Sequence, residues 1–433
     1  MRILLVSFFF PPFNSVGAVR PSKLAKHLLR LGHDVEVLTA RHQPFPEGLL
    51  LEIPPERTHY TSWLNVNAPV DAVLGRSNTD GRGYDAAASN RPWISKLGAV
   101  YRTVLHFPDA QIGWYWAAMR TGARILSRRP FDLIYASAPP FTGLLVASKL
   151  GQRFSLPWVA EFRDLWTDNH GYRFPAWRRG IERRLEARTL ASAAGAVTVS
   201  EGLSERLSLS FSKPIVVNYN GFDPDDLPKV AAQDSPVQGL PLLVVYTGSV
   251  YAEHYELETF WQALRMLNPA QGEIALRFCG RNLSAAQAGA RRAGVEHLTE
   301  FVGTVPRDRA LALQRAADVL LFFPWAGPGE AGVYTAKLFE YIGARRPILG
   351  VGSSAGDAAR LMTQYRAGLV SQDVVRISDW LRERIAAKRA MGREPDLQNE
   401  GLEDLTREAR TRQLAAFLER IIADDTSRRV SSH

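Results

Sequence analysis

The sequence predicts an α/β protein of two parallel-sheet domains, and three observations carry that reading. Short apolar runs of strand length alternate with helix-period segments along most of the 433 residues. The runs are apolar throughout, as in Val319-Leu320-Leu321-Phe322-Phe323, which marks strands buried on both faces. The alternation breaks once, across residues 224–241, where four prolines and little periodicity place a domain boundary. The expected division is therefore 1–223, a linker 224–241, a second domain 242–400, and a C-terminal helix and tail 401–433 that packs back on the first domain.

The first β-α-β unit spans residues 2–39. Its opening strand ends at Pro11-Pro12, and a helix is expected from about Arg20, with Pro21 in the first turn. Leu24, Ala25, Leu28 and Leu31 supply the apolar stripe, and Gly32 stops it. Gly17 then lies at the carboxyl end of the first strand, where open α/β sheets bind ligands. No G-x-G-x-x-G fingerprint is present, which points away from a dinucleotide. Residues 42–95 are weakly patterned and read as a long excursion near the acceptor. A helix near 111–128, strands at Phe131–Ser137 and Pro157–Phe162, a basic helix at 175–193, and strands at Ala196–Ser200 and Ile215–Asn218 follow. The second domain reads as strands Leu242–Thr247, Ile274–Cys279, Thr299–Val302, Val319–Phe323 and Ile348–Val351 with helices between.

Composition narrows the class. Residues 1–200 hold 25 Lys/Arg against 15 Asp/Glu, whereas the remainder holds 28 against 29. Seven of the ten tryptophans fall in the first 177 residues. A basic, Trp-rich half suits an anionic partner such as a membrane surface or a phosphorylated substrate. It carries no recognisable nucleic-acid module. The single cysteine, Cys279, excludes a disulfide framework and fits a reducing cytoplasm and a core position. The nine histidines show no ligand spacing. Asp223-Pro224-Asp225 reads as linker, with no metal required.

The stretch Gly329–Ala344 carries the chemistry. A glycine-bearing loop leads into a helix with Leu338, Phe339 and Ile342 on one side and Lys337, Glu340, Tyr341 and Ala344 on the other. Free N–H groups at the helix start, with Lys337 one turn in, form an expected phosphate site. Glu340 can accept hydrogen bonds from a pair of sugar hydroxyls. Gly248-Ser249, Gly280-Arg281 and Gly303-Thr304 open on the same edge and would complete a nucleotide crevice.

These motifs together resemble the retaining glycosyltransferases of family 4. The segments that carry the resemblance are Pro11-Pro12, Gly17, Arg20 and Gly32-His33-Asp34-Val35, then Glu161-Phe162-Arg163-Asp164-Leu165-Trp166, Val199-Ser200-Glu201 and Asn220-Gly221-Phe222-Asp223. Tyr246-Thr247-Gly248-Ser249, Glu300-Phe301-Val302-Gly303-Thr304-Val305, Lys337-Leu338-Phe339-Glu340-Tyr341 and Arg346-Pro347-Ile348-Leu349 extend it through the second half. The resemblance implies the GT-B fold, two Rossmann-like domains facing across a cleft. It also implies metal-independent, cofactor-free transfer of a sugar, with retention, from a UDP- or GDP-linked donor to a saccharide or lipid-linked acceptor.

It assigns Gly17, Gly248, Ser249, Arg281, Thr304, Val305, Gly332, Val333, Tyr334, Thr335, Lys337 and Glu340 to the donor, and Arg163, Asp164 and Lys337 to the reacting end. The expected setting is bacterial surface-polysaccharide or glycolipid synthesis at the cytoplasmic face of the membrane. Three departures stand out, one being Arg163 where many relatives place a histidine after the strand equivalent to Pro157–Phe162. The family's first glutamate falls on Gly332, and its usual Arg/Lys pair is replaced by Val250-Tyr251-Ala252-Glu253-His254-Tyr255, leaving Lys337 and the helix tip to hold the diphosphate. An epimerase or phosphorylase of the same architecture, or a non-catalytic nucleotide-sugar-binding protein, are the alternatives.

Overall fold

The computed structural model describes residues 1–43, 45–68, 101, 103–169, 171–172, 174–228, 241–325, 336–392, 395–398 and 401–431. Two compact units emerge: Met1–Tyr219 with Thr411–His433, and Asn220–Arg410.

The first unit holds β1 (Arg2–Val6), α1 (Val16–Arg30), β2 (Asp34–Ala40), β3 (Thr58–Thr61), α2 (Tyr115–Arg128), β4 (Leu133–Ala138), α3 (Thr142–Phe154), β5 (Trp158–Phe162), α4 (Ala176–Leu190), β6 (Gly195–Thr198), α5 (Glu201–Ser208) and β7 (Ile215–Val217). Its seven strands run in the order β3-β2-β1-β4-β5-β6-β7, every pair parallel. The two-residue period of β1 divides its side chains between two cores. Leu4 and Val6 face a cluster with Trp114, Trp158 and Phe162. Ile3 and Leu5 face another, containing Val35, Leu133, Val159 and Val197.

That second cluster is closed by the last helix, α12 (Arg407–Ser431), through Leu414, Phe417, Leu418 and Ile421. Their spacing is one face of a helix, and each buried side chain contributes about 1.5–3 kcal/mol. The expectation that the C-terminal helix packs on the first domain is met.

Several boundaries differ from the sequence reading. The stretch 42–95, read as unpatterned, contains the edge strand β3, whose Thr58–Thr61 pairs in register with Val37–Ala40. Its Thr-His-Tyr-Thr sequence lacks an apolar run because only one edge of it is covered. Helix α1 begins at Val16, since Ser15 caps it through a bond from the Gly17 N–H at 3.2 Å. Pro21 consequently lies inside the helix, beyond its first turn.

The basic helix α4 is also not uniformly solvated. Arg178 is fully buried. Its Nε donates to Glu182 at 2.6 Å and its guanidinium stacks 3.4 Å from the Phe174 ring centroid.

The second unit alternates β8 (Leu242–Thr247), α6 (Leu257–Leu267), β9 (Ile274–Cys279), α7 (Ser284–Ala293), β10 (Thr299–Gly303), α8 (Arg307–Ala316), β11 (Val319–Phe322), α9 (Ala336–Gly343), β12 (Ile348–Val351), α10 (Asp357–Gln364), β13 (Gly368–Ser371) and α11 (Val374–Met391). Its parallel sheet has the order β10-β9-β8-β11-β12-β13. In each sheet the strand order reverses once, between β1 and β4 in the first and between β8 and β11 in the second. Ligands of open α/β sheets bind outside the carboxyl ends of strands at such reversals.

Candidate functional site

At the reversal in the second unit, three glycines end three adjacent strands. Gly248 follows β8 at φ +122°, Gly280 follows β9 at +145°, and Gly303 ends β10 at +78°. They are stepped against one another: the Gly248 N–H donates to the Cys279 carbonyl at 2.7 Å, and the Gly280 N–H to the Gly303 carbonyl at 2.7 Å. A Cβ on Gly280 would lie 1.9 Å from the Gly248 oxygen, so this step admits only glycine. Cys279 is buried beneath it, as expected.

Lys337, the second residue of α9, reaches over this ledge. Its Nζ lies 2.8 Å from where a Cβ of Gly248 would stand. It donates to the Tyr246 hydroxyl at 2.9 Å and sits 4.0 Å from that ring's centroid. The Tyr246 hydroxyl in turn donates to the Ser249 carbonyl at 2.6 Å, fixing the turn after β8. Burial pulls the Lys337 ammonium down to about 7, against the field of Glu340, which acts the other way. A cation partly stripped of water and held by an aromatic face is poised for an anion.

Glu340, one turn further, is held from α8. Arg307 Nη1 donates to its Oε1 at 2.5 Å, and Gln314 Nε2 approaches its Oε2 at 3.4 Å. Gln314 also donates to Thr247 Oγ1 at 2.9 Å, and the Thr247 N–H donates to the Tyr341 hydroxyl at 2.9 Å. Tyr341 and Ala344, placed on the side of Lys337 and Glu340 in the sequence reading, are fully buried. The hydroxyl of Tyr341 binds the end of β8, which explains a polar tip on a core side chain. Burial works against the charge on Arg307, but Glu340 and Asp226 outweigh it and raise its pKa.

Of the other residues expected at the donor, Ser249 and Val305 are partly buried, and Arg281 and Thr304 are exposed. Arg281 also fixes the neighbouring turn, its carbonyl accepting from the Val250 N–H at 3.0 Å. The residues Gly332, Val333, Tyr334 and Thr335 lie outside the described residues. Asp223 of the D-x-D run caps its own turn, accepting from the Asp225 N–H at 3.2 Å.

The first unit presents a different arrangement at its own reversal. Pro21 has no N–H to give the Gly17 carbonyl four residues back in α1. Arg163, just after β5, supplies the missing donor: its Nη1 bonds the Gly17 oxygen at 2.7 Å. Its Nε bonds the Ala138 carbonyl at 3.2 Å, and Nη2 bonds Pro139. Gly17 is glycine because a Cβ there would meet Arg163 Nη1 at 2.8 Å and Phe9 at 2.8 Å. Arg163 thus binds three backbone carbonyls from the ends of β4 and the start of α1, which makes it a brace in this structure. Asp164 beside it is partly buried.

Below this brace lies Glu161, fully buried in β5. Arg20 Nη2 pairs with it at 2.8 Å, the Tyr135 hydroxyl donates at 2.5 Å and the Ser137 hydroxyl at 2.5 Å. Arg20 also donates to the Asn218 carbonyl at 2.8 Å and to the Tyr219 carbonyl at 3.0 Å, joining α1, β5 and the exit of β7.

Two parallel-sheet units, each with one strand reversal, define the class: the chain has the GT-B glycosyltransferase fold. Residues 17–221 match the family described as the glycosyl transferase 4-like domain, which agrees with the resemblance to family 4. No curated protein gives a significant sequence match.

Among solved structures, the chain is similar to sucrose-phosphate synthase from Thermosynechococcus elongatus, at 15% identity and TM-score 0.60, covering 98% of this chain and 100% of that one. It is similar to Anabaena HepE, solved with UDP and glucose, at 14% identity and TM-score 0.60, covering 97% and 99%. It is also similar to WaaG, a glycosyltransferase involved in lipopolysaccharide biosynthesis, at 15% identity and TM-score 0.56, covering 94% and 98%.

Proposed function

We propose that the chain is a glycosyltransferase that moves a sugar, with retention, from a nucleoside-diphosphate donor to a hydroxyl of a saccharide or lipid-linked acceptor. The observation that carries this reading is Lys337 set over the Gly248 ledge with Glu340 one turn away. A diphosphate on the ledge would meet the Lys337 ammonium, and the ribose would meet Glu340. The bond between the anomeric carbon and the β-phosphate oxygen breaks, a bond to the acceptor oxygen forms, and the acceptor proton passes to the departing phosphate. Stabilising charge on that leaving group is what a fixed cation in a dry site does best. HepE structures containing UDP and UDP-glucose support a uridine-linked donor. A resident metal or cofactor has no part in this reading.

Incubating the protein with UDP- and GDP-sugars and lipid-linked acceptors is expected to release nucleoside diphosphate only when an acceptor is present. Turnover of the donor alone would favour an epimerase. Binding without any turnover would favour a non-catalytic protein, a reading that the glycine at position 332 keeps specific.

The site of action proposed is the cytoplasmic face of a bacterial membrane. Among the described residues, no helix is long and apolar enough to cross a membrane. Helix α4 nonetheless exposes Trp177 at 59% and Ile181 at 46%, with the exposed Arg184 and Arg188 continuing the same stripe at positions i+7 and i+11 from Trp177. An aromatic and an aliphatic beside two cations suit shallow insertion among anionic headgroups. Co-sedimentation with liposomes is expected to rise with anionic lipid content and to fall several-fold in Trp177→Ala/Arg184→Ala. Equal binding to neutral and anionic vesicles would remove the membrane from this reading.

A further inference from the structure

Helix α8 carries two donors aimed at one carboxylate. Arg307 and Gln314 are seven residues apart, two turns, and so share a face of the helix. One reaches Oε1 of Glu340 and the other Oε2. The second nitrogen of Arg307 is held by Asp226 at 3.4 Å, and Gln314 is anchored to Thr247 at 2.9 Å. The donors are therefore themselves fixed. A carboxylate offers about four lone-pair directions. With one direction on each oxygen taken by α8, one on each remains, which is the pattern needed to accept from two adjacent hydroxyls at once.

We infer that Arg307, with Gln314, is a positioning residue that orients the Glu340 carboxylate for a vicinal diol and so makes the site discriminate ribose from 2′-deoxyribose. This rests on the reading of Glu340 as the ribose acceptor. Without the clamp, the Glu340 side chain would regain rotamer freedom and its second hydrogen bond to the sugar would no longer be pre-aligned. Simple loss of positive charge makes a different prediction, since it would weaken ribo- and deoxyribonucleotides alike.

The test measures dissociation constants for whichever of UDP or GDP binds wild type more tightly, and for its 2′-deoxy analogue, on wild type, Glu340→Gln, Arg307→Ala and Arg307→Lys. Wild type is expected to prefer the ribonucleotide by about tenfold or more. The preference should collapse toward unity in Glu340→Gln and fall several-fold in Arg307→Ala. Arg307→Lys, which keeps a donor and the charge and guards against loss of folding, should recover part of it. If both Arg307 variants keep the full preference while Glu340→Gln loses it, the clamp is wrong and the ribose reading stands. If Glu340→Gln keeps the full preference, the ribose reading itself fails and takes the clamp with it.

Discussion

Replacing Lys337 by methionine is expected to weaken nucleoside-diphosphate binding about 10- to 100-fold and, at the same time, to stabilise the ligand-free protein. The loss follows from removing a charged hydrogen-bond donor from a site with little solvent, where such bonds contribute about 1.5–3 kcal/mol. The gain follows from the depressed pKa. Folding takes this ammonium from 10.5 to about 7, so the folded chain binds fewer protons than the unfolded chain between those values.

The resulting cost is fully present below pH 7 and fades as pH rises toward 10.5. Lys337 retains some exposure, and after solvent screening the methionine variant should gain about 1–2 kcal/mol at pH 6 and almost nothing near pH 10. Thermal melts at the two pH values, with titration calorimetry of UDP and GDP, read both effects. Wild-type affinity should fall as pH rises through 7, with proton uptake on binding. Unchanged affinity in the methionine variant would mean that the ledge at Gly248 does not hold the diphosphate.

Arg20→Ala is expected to give the largest stability loss, about 3–5 kcal/mol, because it strands the fully buried Glu161. Burial alone would push the Glu161 carboxyl up, but Arg20, Ser137 and Tyr135 together hold it below its ordinary value. A carboxylate whose folded pKa is depressed stabilises the fold above its unfolded pKa, and that contribution disappears as pH falls through the folded value. Wild type should therefore lose this support only in acid, below the ordinary glutamate range. In Arg20→Ala burial dominates and raises the Glu161 pKa, so the loss should be largest at neutral pH and shrink as pH falls and the carboxyl takes up a proton. Urea melts from pH 4 to 8 on both proteins, and on Arg20→Ala/Glu161→Gln, would show it. Little difference in midpoint between wild type and Arg20→Ala would dismiss the ion pair as an organising element.

Five of the six strands of the second unit were legible almost residue for residue, whereas the edge strand β13, Gly368–Ser371, was not read. Leu242–Thr247, Ile274–Cys279 and Ile348–Val351 match the sequence reading because burial on both faces demands continuous apolar runs. Edge strand β3 escaped because a strand paired on one side tolerates Thr and His.

That Lys337 lies against Gly248 was legible from the glycine-bearing junctions around them. Tyr246 and Tyr341 were not, since a tyrosine within a buried segment reads as core and only the position of its hydroxyl reveals more. Arg307 was hidden by its position in an exposed-looking, highly charged helix start, Arg307-Asp308-Arg309. Arg163 shows what side-chain patterns leave out. A charged residue after a strand suggests chemistry, yet its partners are main-chain oxygens at positions 17, 138 and 139, and no side-chain pattern announces those.

The place of α12 bears on how the molecule is made. Every residue of the second unit lies between Asn220 and Arg410, whereas the first unit needs Leu414, Phe417, Leu418 and Ile421 to cover one side of its sheet. On the ribosome the order of completion is therefore inverted: the later-encoded unit closes first, and the earlier one waits for the helix that completes the cluster around Val159 and Val197. During synthesis that uncovered surface is the natural target for chaperones, and a stop codon near position 410 would cripple the unit at the other end of the gene.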